Sequence, residues 1–171
     1  MGSFEKTAIV TGAARGIGLA TTKLFLERGI KVAMVDRDAD ELLVAARDLD
    51  HVLPLICDVS LADQVDGMLK EVIGWSGRVD VLVNNAGIAD FGPIEATEFA
   101  RWRRVMETNL DGVFMCSQAV LPELIKSKGN IVNIASISGL RASTLRVAYG
   151  SSKAAVIHLT KQQAAELGEH G

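Results

Sequence analysis

The chain has 171 residues, 49% of them hydrophobic, 23% charged and 5% aromatic, a balance that builds one globular α/β-sized core and excludes a disordered segment. Its 18 lysines and arginines face 21 aspartates and glutamates for a net charge of -3, so no basic field exists to hold nucleic acid or an anionic membrane. No run approaches the ~18 apolar residues that a membrane span needs, and residues 1–6 lack a charged stretch followed by an apolar one, so a cytoplasmic protein is expected.

Short β-branched runs alternate with longer stretches of helical period, the pattern of βαβ units in a parallel sheet covered on both faces. In chain order the pattern predicts strand 7–11, helix 16–28, strand 31–36, helix 40–49, strand 51–58, helix 61–75, strand 79–84, helix 97–125, strand 130–134 and helix 147–167. Gly29 follows the first helix at a C-terminal capping position, and Ser60 with Asp63 offers an N-cap for the third. Pro54 inside the third strand implies an edge or a bulge, and Pro122 inside the fourth helix implies a kink. Cys57 and Cys116 lie in apolar stretches without ligand spacing, so reduced buried thiols are expected, and no disulfide or metal site.

The first strand leads into Thr11-Gly12-Ala13-Ala14-Arg15-Gly16-Ile17-Gly18, a glycine-rich turn that opens a helix. Glycines there let the backbone approach a ligand, and the helix start offers free N–H groups and partial positive charge to a pyrophosphate. Gly12, Arg15, Gly16, Ile17 and Gly18 are therefore candidate cofactor-binding positions. The second strand ends in Asp36, placed to accept hydrogen bonds from ribose hydroxyls and to repel a 2′-phosphate, which favours NAD over NADP. Arg15 and Arg37 argue for NADP as the alternative, because guanidinium forks suit phosphate.

The sole tyrosine, Tyr149, is followed four residues later by Lys153, which puts both side chains on one face of the last helix. A phenol, with an ordinary pKa of about 10, is a poor acid-base group at neutral pH unless a nearby ammonium or helix N-terminus favours its anion. The fifth strand runs into Ser136, at the carboxyl end of the sheet where open α/β folds bind ligands, and its hydroxyl could hydrogen-bond a substrate carbonyl.

These residues together resemble the short-chain dehydrogenase/reductase family. The likeness is carried by the turn from Thr11 to Gly18, Asp58-Val59 after strand three, Asn84-Asn85-Ala86-Gly87 after strand four, Asn109, Ser136 and Tyr149-Gly150-Ser151-Ser152-Lys153. It implies an oxidoreductase with a doubly wound parallel sheet, the Rossmann fold, that moves hydride between a nicotinamide cofactor and an alcohol or ketone. It further implies that Tyr149 carries the proton, that Lys153 favours its phenolate and binds the nicotinamide ribose, that Ser136 orients the carbonyl, and that Asn109 holds a water linking Lys153 to solvent. Asp58 and Val59 would contact adenine, and Asn85, Ala86 and Gly87 would pack along the cofactor. The family expectation for assembly is a homodimer or homotetramer.

The likeness runs to Gly171, where the family ordinarily continues into a sixth strand and a Pro-Gly segment. Residues 1–171 are therefore expected to form a single NAD(P)-binding domain with five recognisable strands, incomplete at its C-terminus, in the order 3-2-1-4-5 with strand 130–134 as an unpaired apolar edge. A truncated dinucleotide-binding module without activity is the alternative. Substrate identity is not legible. Arg141 and Arg146, between Ser136 and Tyr149, could greet an acidic substrate, although solvated surface charge is the default reading.

Overall fold

A computed structural model describes residues 4–170. Five parallel strands form one sheet in the order β3-β2-β1-β4-β5. They are β1 (Lys6–Thr11), β2 (Ile30–Asp36), β3 (Val52–Ile56), β4 (Val81–Asn84) and β5 (Asn130–Asn133). The central strands are apolar almost throughout because both faces are covered: Ala8, Ile9 and Val10 in β1 and Val32 to Val35 in β2 have no exposed surface.

Each strand leads to a helix, giving α1 (Gly16–Glu27), α2 (Ala39–Ala46), α3 (Ala62–Ser76), α4 (Phe99–Met106), α5 (Gly112–Ser127) and α6 (Val147–Leu167). One core joins Ile9, Val35 and Leu82 to Val65, Met68 and Val72 of α3 and Cys116, Val120 and Leu124 of α5. The opposite face packs Val10, Val32, Met34 and Val83 under Leu42 and Ala46 of α2, with Leu19, Phe25 and Leu26 of α1 against them. Alternation of strand and helix therefore buries two apolar layers, and the carboxyl ends of β1, β2 and β4 converge on one edge.

Several expected boundaries move. The third strand is shorter than 51–58, ending at Ile56, because Cys57 N–H makes its last sheet bond with Asp36 and the chain then turns. Ser60 does not cap α3. Leu61 occupies that position, and Asp58 instead accepts from the N–H and hydroxyl of Ser60 at 3.0 and 2.6 Å. The predicted helix 97–125 is divided: a π-helical turn over Glu107–Asp111 separates α4 from α5 and carries Asn109 inward. Pro54 does lie on an edge strand, Pro122 does lie inside α5, and Gly29 (φ +73) does follow α1. The edge strand β5 is less apolar than expected, since of its four residues only Ile131 and Val132 are hydrophobic and Asn133 is bound into side-chain hydrogen bonds.

Both cysteines are buried free thiols, pushed by burial up to about 11 for Cys57 and about 12 for Cys116. Among the described residues, no helix is long and apolar enough to cross a membrane.

Candidate active site

The turn after β1 is held open by its neighbours. Thr11 Oγ1 accepts from the N–H groups of Asn85 and Ala86, each at 3.0 Å, and Asn85 Nδ2 donates to the carbonyls of Thr11 and Gly12 at 2.9 and 3.1 Å. Gly18 is required by packing: a Cβ there would stand 2.1 Å from the Gly12 carbonyl oxygen and 2.7 Å from Asn85 Nδ2. The loops after β1 and β4 thus form one rigid floor, and Asn85 is a brace of the turn as well as a wall residue.

A groove of about 270 Å³ runs over this floor. It gathers Gly12, Arg15 and Ile17 from the turn, Asp36 and Arg37 after β2, Asp58 and Val59 after β3, and Asn85, Ala86 and Gly87 after β4. Gly16 and Gly18 are not part of its wall. Gly16 supplies the left-handed backbone (φ +56) that turns the chain into α1, and Gly18 lies against Gly12 beneath. Val35, Cys57, Ile88 and Thr108 also line the groove and were not signalled by the sequence, because each reads as ordinary core or helix.

Charge at the β2 end is balanced locally. Asp36 accepts from the N–H groups of Ala14 and Asp38, each at 3.1 Å. Arg15 is turned onto α2, where it pairs with Glu41 and lies 3.8 Å from Asp38. Arg37 lies 3.9 Å from Asp58.

At the other end, Asn109, Tyr149 and Lys153 are linked around α6, and Ser136 opens the segment whose Gly139 packs on that helix. Lys153 is 5% exposed, its ammonium donates to the Ile134 carbonyl at 2.7 Å, and it stands 6.0 Å from the centre of the Tyr149 ring. Burial holds the Lys153 pKa below that of a solvated lysine. Asn109, fully buried, donates through Nδ2 to Ile88 O at 2.9 Å and Ser152 Oγ at 3.0 Å, and accepts from Ile88 N–H at 2.8 Å. Ser152 in turn donates to the Tyr149 carbonyl at 2.8 Å. Ser136 accepts from Ser138 N–H at 3.1 Å, which leaves its own hydroxyl proton free to donate. Gly139 lets this segment lie on α6, since a Cβ there would meet the Lys153 carbonyl carbon at 2.6 Å.

A dinucleotide suits what is present. A Cβ on Gly87 would stand in ordinary contact with Asn109 Oδ1 at 3.4 Å and Lys153 Nζ at 3.6 Å, so the groove at Gly87 lies directly beside the buried ammonium. The glycine turn at the start of α1 matches a pyrophosphate, and the Asp36 carboxylate matches a ribose.

A family model described as short chain dehydrogenase matches residues 6–171. The chain belongs to the short-chain dehydrogenase/reductase family. It is 37% identical over 169 residues to meso-2,3-butanediol dehydrogenase of Serratia marcescens, covering 98% of this chain and 67% of that one. It is 40% identical over 167 residues to a 3-oxoacyl-acyl-carrier-protein reductase of Thermotoga maritima, covering 95% and 68%. An NAD+-bound xylitol dehydrogenase matches its structure with a TM-score of 0.93 at 33% identity, over 99% of this chain and 68% of the other. As a short-chain dehydrogenase/reductase, the protein is an oxidoreductase that uses a nicotinamide cofactor and acts between alcohol and carbonyl groups.

Proposed function

We propose that Tyr149 is the proton carrier of an NAD-dependent interconversion of a small alcohol and its ketone. The observation that carries this reading is the Lys153 ammonium, desolvated, held by Ile134 and 6.0 Å from the Tyr149 ring at the end of the glycine-lined groove. A nicotinamide held in this groove would supply or accept the hydride at the substrate carbon. In the reductive direction Tyr149 gives its phenolic proton to the substrate oxygen, and the phenolate left behind is favoured by Lys153. Ser136 donates its hydroxyl to the same oxygen and fixes the carbonyl. Lys153 would also hold the nicotinamide ribose. Asn109 anchors the Ile88 loop to α6 through Ser152 and keeps a water path from Lys153 to solvent.

Gly12, Arg15 and Ile17 line the pyrophosphate cradle, which Gly16 shapes by its left-handed backbone and Gly18 by its close packing under Gly12; Asp58 and Val59 are the adenine wall, and Asn85, Ala86 and Gly87 the path to the nicotinamide. NAD is preferred to NADP. The Asp36 oxygens each accept one N–H and retain lone pairs for the ribose hydroxyls. A 2′-phosphate would meet that carboxylate, while Arg15 and Arg37 are engaged by Glu41, Asp38 and Asp58. Residues 1–171 act as one dinucleotide-binding domain in the cytoplasm. Phe99 and Phe114, 75% and 50% exposed on α4 and α5, are the apolar contacts of a homodimer or homotetramer.

The experiment is consumption of NADH, and separately of NADPH, across a panel of ketones. The reading expects turnover with at least one ketone and a higher kcat/KM with NADH. No turnover with any ketone removes it, and a preference for NADPH removes the assignment of Asp36. Sedimentation of the purified chain should give the mass of two or four copies, and a monomer at micromolar concentration would contradict the assembly.

A further inference from the structure

A guanidinium taken partly out of water is ordinarily matched by a carboxylate, because lost hydration must be replaced. Among the arginines of the described residues, only Arg101 and Arg146 are half-buried. Arg101 is matched: its Nε donates to Asp90 Oδ2 at 2.7 Å and its Nη2 to Oδ1. Arg146 belongs to none of the ion pairs among the described residues. Its guanidinium lies instead over the face of Phe91, 4.9 Å from the ring centre.

The position of this unmatched charge gives it meaning. Arg146 is the N-cap of α6, three residues before Tyr149, and its carbonyl accepts from Gly150 N–H at 2.7 Å, so it stands at the start of the helical turn that carries the phenol. Arg146 forms a short parallel bridge with Gly92, whose N–H donates to Leu145 O at 3.1 Å. The loop that passes Gly87 and Ile88 therefore returns to the start of α6, and the Asp90–Arg101 pair ties it to α4. Phe91 is thereby a fixed platform that restricts the Arg146 guanidinium without neutralising it. Beside Arg146 lies a cavity of about 280 Å³ bordered also by Ser138, Arg141, Ser143 and Ser151, with no acidic residue in its wall.

We propose that Arg146, backed by Phe91, binds an anionic group of the substrate, so that the protein acts on a hydroxy or keto compound carrying a carboxylate or phosphate. This rests on Tyr149 being the acid-base group, because Arg146 opens the helix that carries that phenol and bridges to the loop that continues from Gly87. The fork of the guanidinium is complementary to either oxoanion, and the platform leaves its edge free for two parallel hydrogen bonds.

The test compares substrates of one carbon skeleton with and without charge: acetoacetate against its methyl ester, and dihydroxyacetone phosphate against dihydroxyacetone, each followed by NADH consumption. In at least one pair the charged member should have a kcat/KM higher by about tenfold or more, as a charge-assisted contact implies. Arg146→Gln should bring that ratio close to one, mainly through KM, and Arg146→Lys should keep part of it. The pair that responds identifies the oxoanion. Equal kcat/KM within both pairs overturns the proposal, as does a ratio that Arg146→Gln leaves unchanged, since a mere brace of the helix start would slow both members alike. If no compound is turned over, the Arg146 Nε–H resonance is followed by NMR with NADH present. A shift with a charged member and not its neutral analogue upholds the anion site while the redox reading falls, and no shift with either charged member overturns it.

Discussion

Lys153 is the residue on which the chemistry turns, and its environment can be tested apart from turnover. Burial favours its neutral form, so the folded chain gives up that proton at a lower pH than the unfolded chain, whose lysine titrates at about 10.4. Below the folded value the cost of the buried charge is fully present, and it is relieved as pH rises through that value towards the ordinary one. The unfolding free energy of the wild type, relative to Lys153→Met, should therefore rise with pH as the ordinary lysine value of about 10.4 is approached from below, as read from urea midpoints. Parallel curves for the two proteins would show that the ammonium is not desolvated. Ile134 loses its donor in that variant, so the comparison rests on the change with pH and not on the offset.

At the scale of elements, two tight approaches position the site: α1 on the turn after β1, and the segment from Ser136 to Gly139 on α6. Gly18→Ala places a Cβ 2.1 Å from the Gly12 carbonyl, which no rotamer relieves, so the turn must move away from Asn85. The expected cost is about 3 kcal/mol of stability, together with loss of NADH binding. A Gly18→Ala protein within about 0.5 kcal/mol of the wild type would contradict this account of the turn. Much of this architecture was legible in the sequence. Period and β-branched runs located all five strands and the whole of α6, and the glycine spacing located the turn. What escaped has identifiable causes. The π-helical turn at Asn109 leaves the apolar period nearly intact, so 97–125 reads as one helix. Ser60 is a good N-cap by type, but Asp58 reaches its N–H and hydroxyl first. Thr11 reads as the end of a strand, and only the fold shows its hydroxyl accepting from Asn85 and Ala86. Ser152, the link between Asn109 and α6, has no signal beyond its place between Tyr149 and Lys153.

For the whole molecule, the order β3-β2-β1-β4-β5 puts the loops after β1, β2, β3 and β4 along one groove, and the segment after β5 with α6 at its end. Cofactor binding and proton transfer are therefore carried by different parts of the chain, which makes them separable. Tyr149→Phe removes one hydroxyl from α6 and leaves every groove residue in place. The most direct measurement follows NADH affinity by fluorescence and NADH consumption with the best ketone of the panel, in the same preparation. The prediction is affinity within about twofold of the wild type and a kcat reduced by about a thousandfold or more, since general acid catalysis and the correct proton source are lost together. Turnover kept within about tenfold by the Phe variant, with affinity intact, would show that another group supplies the proton.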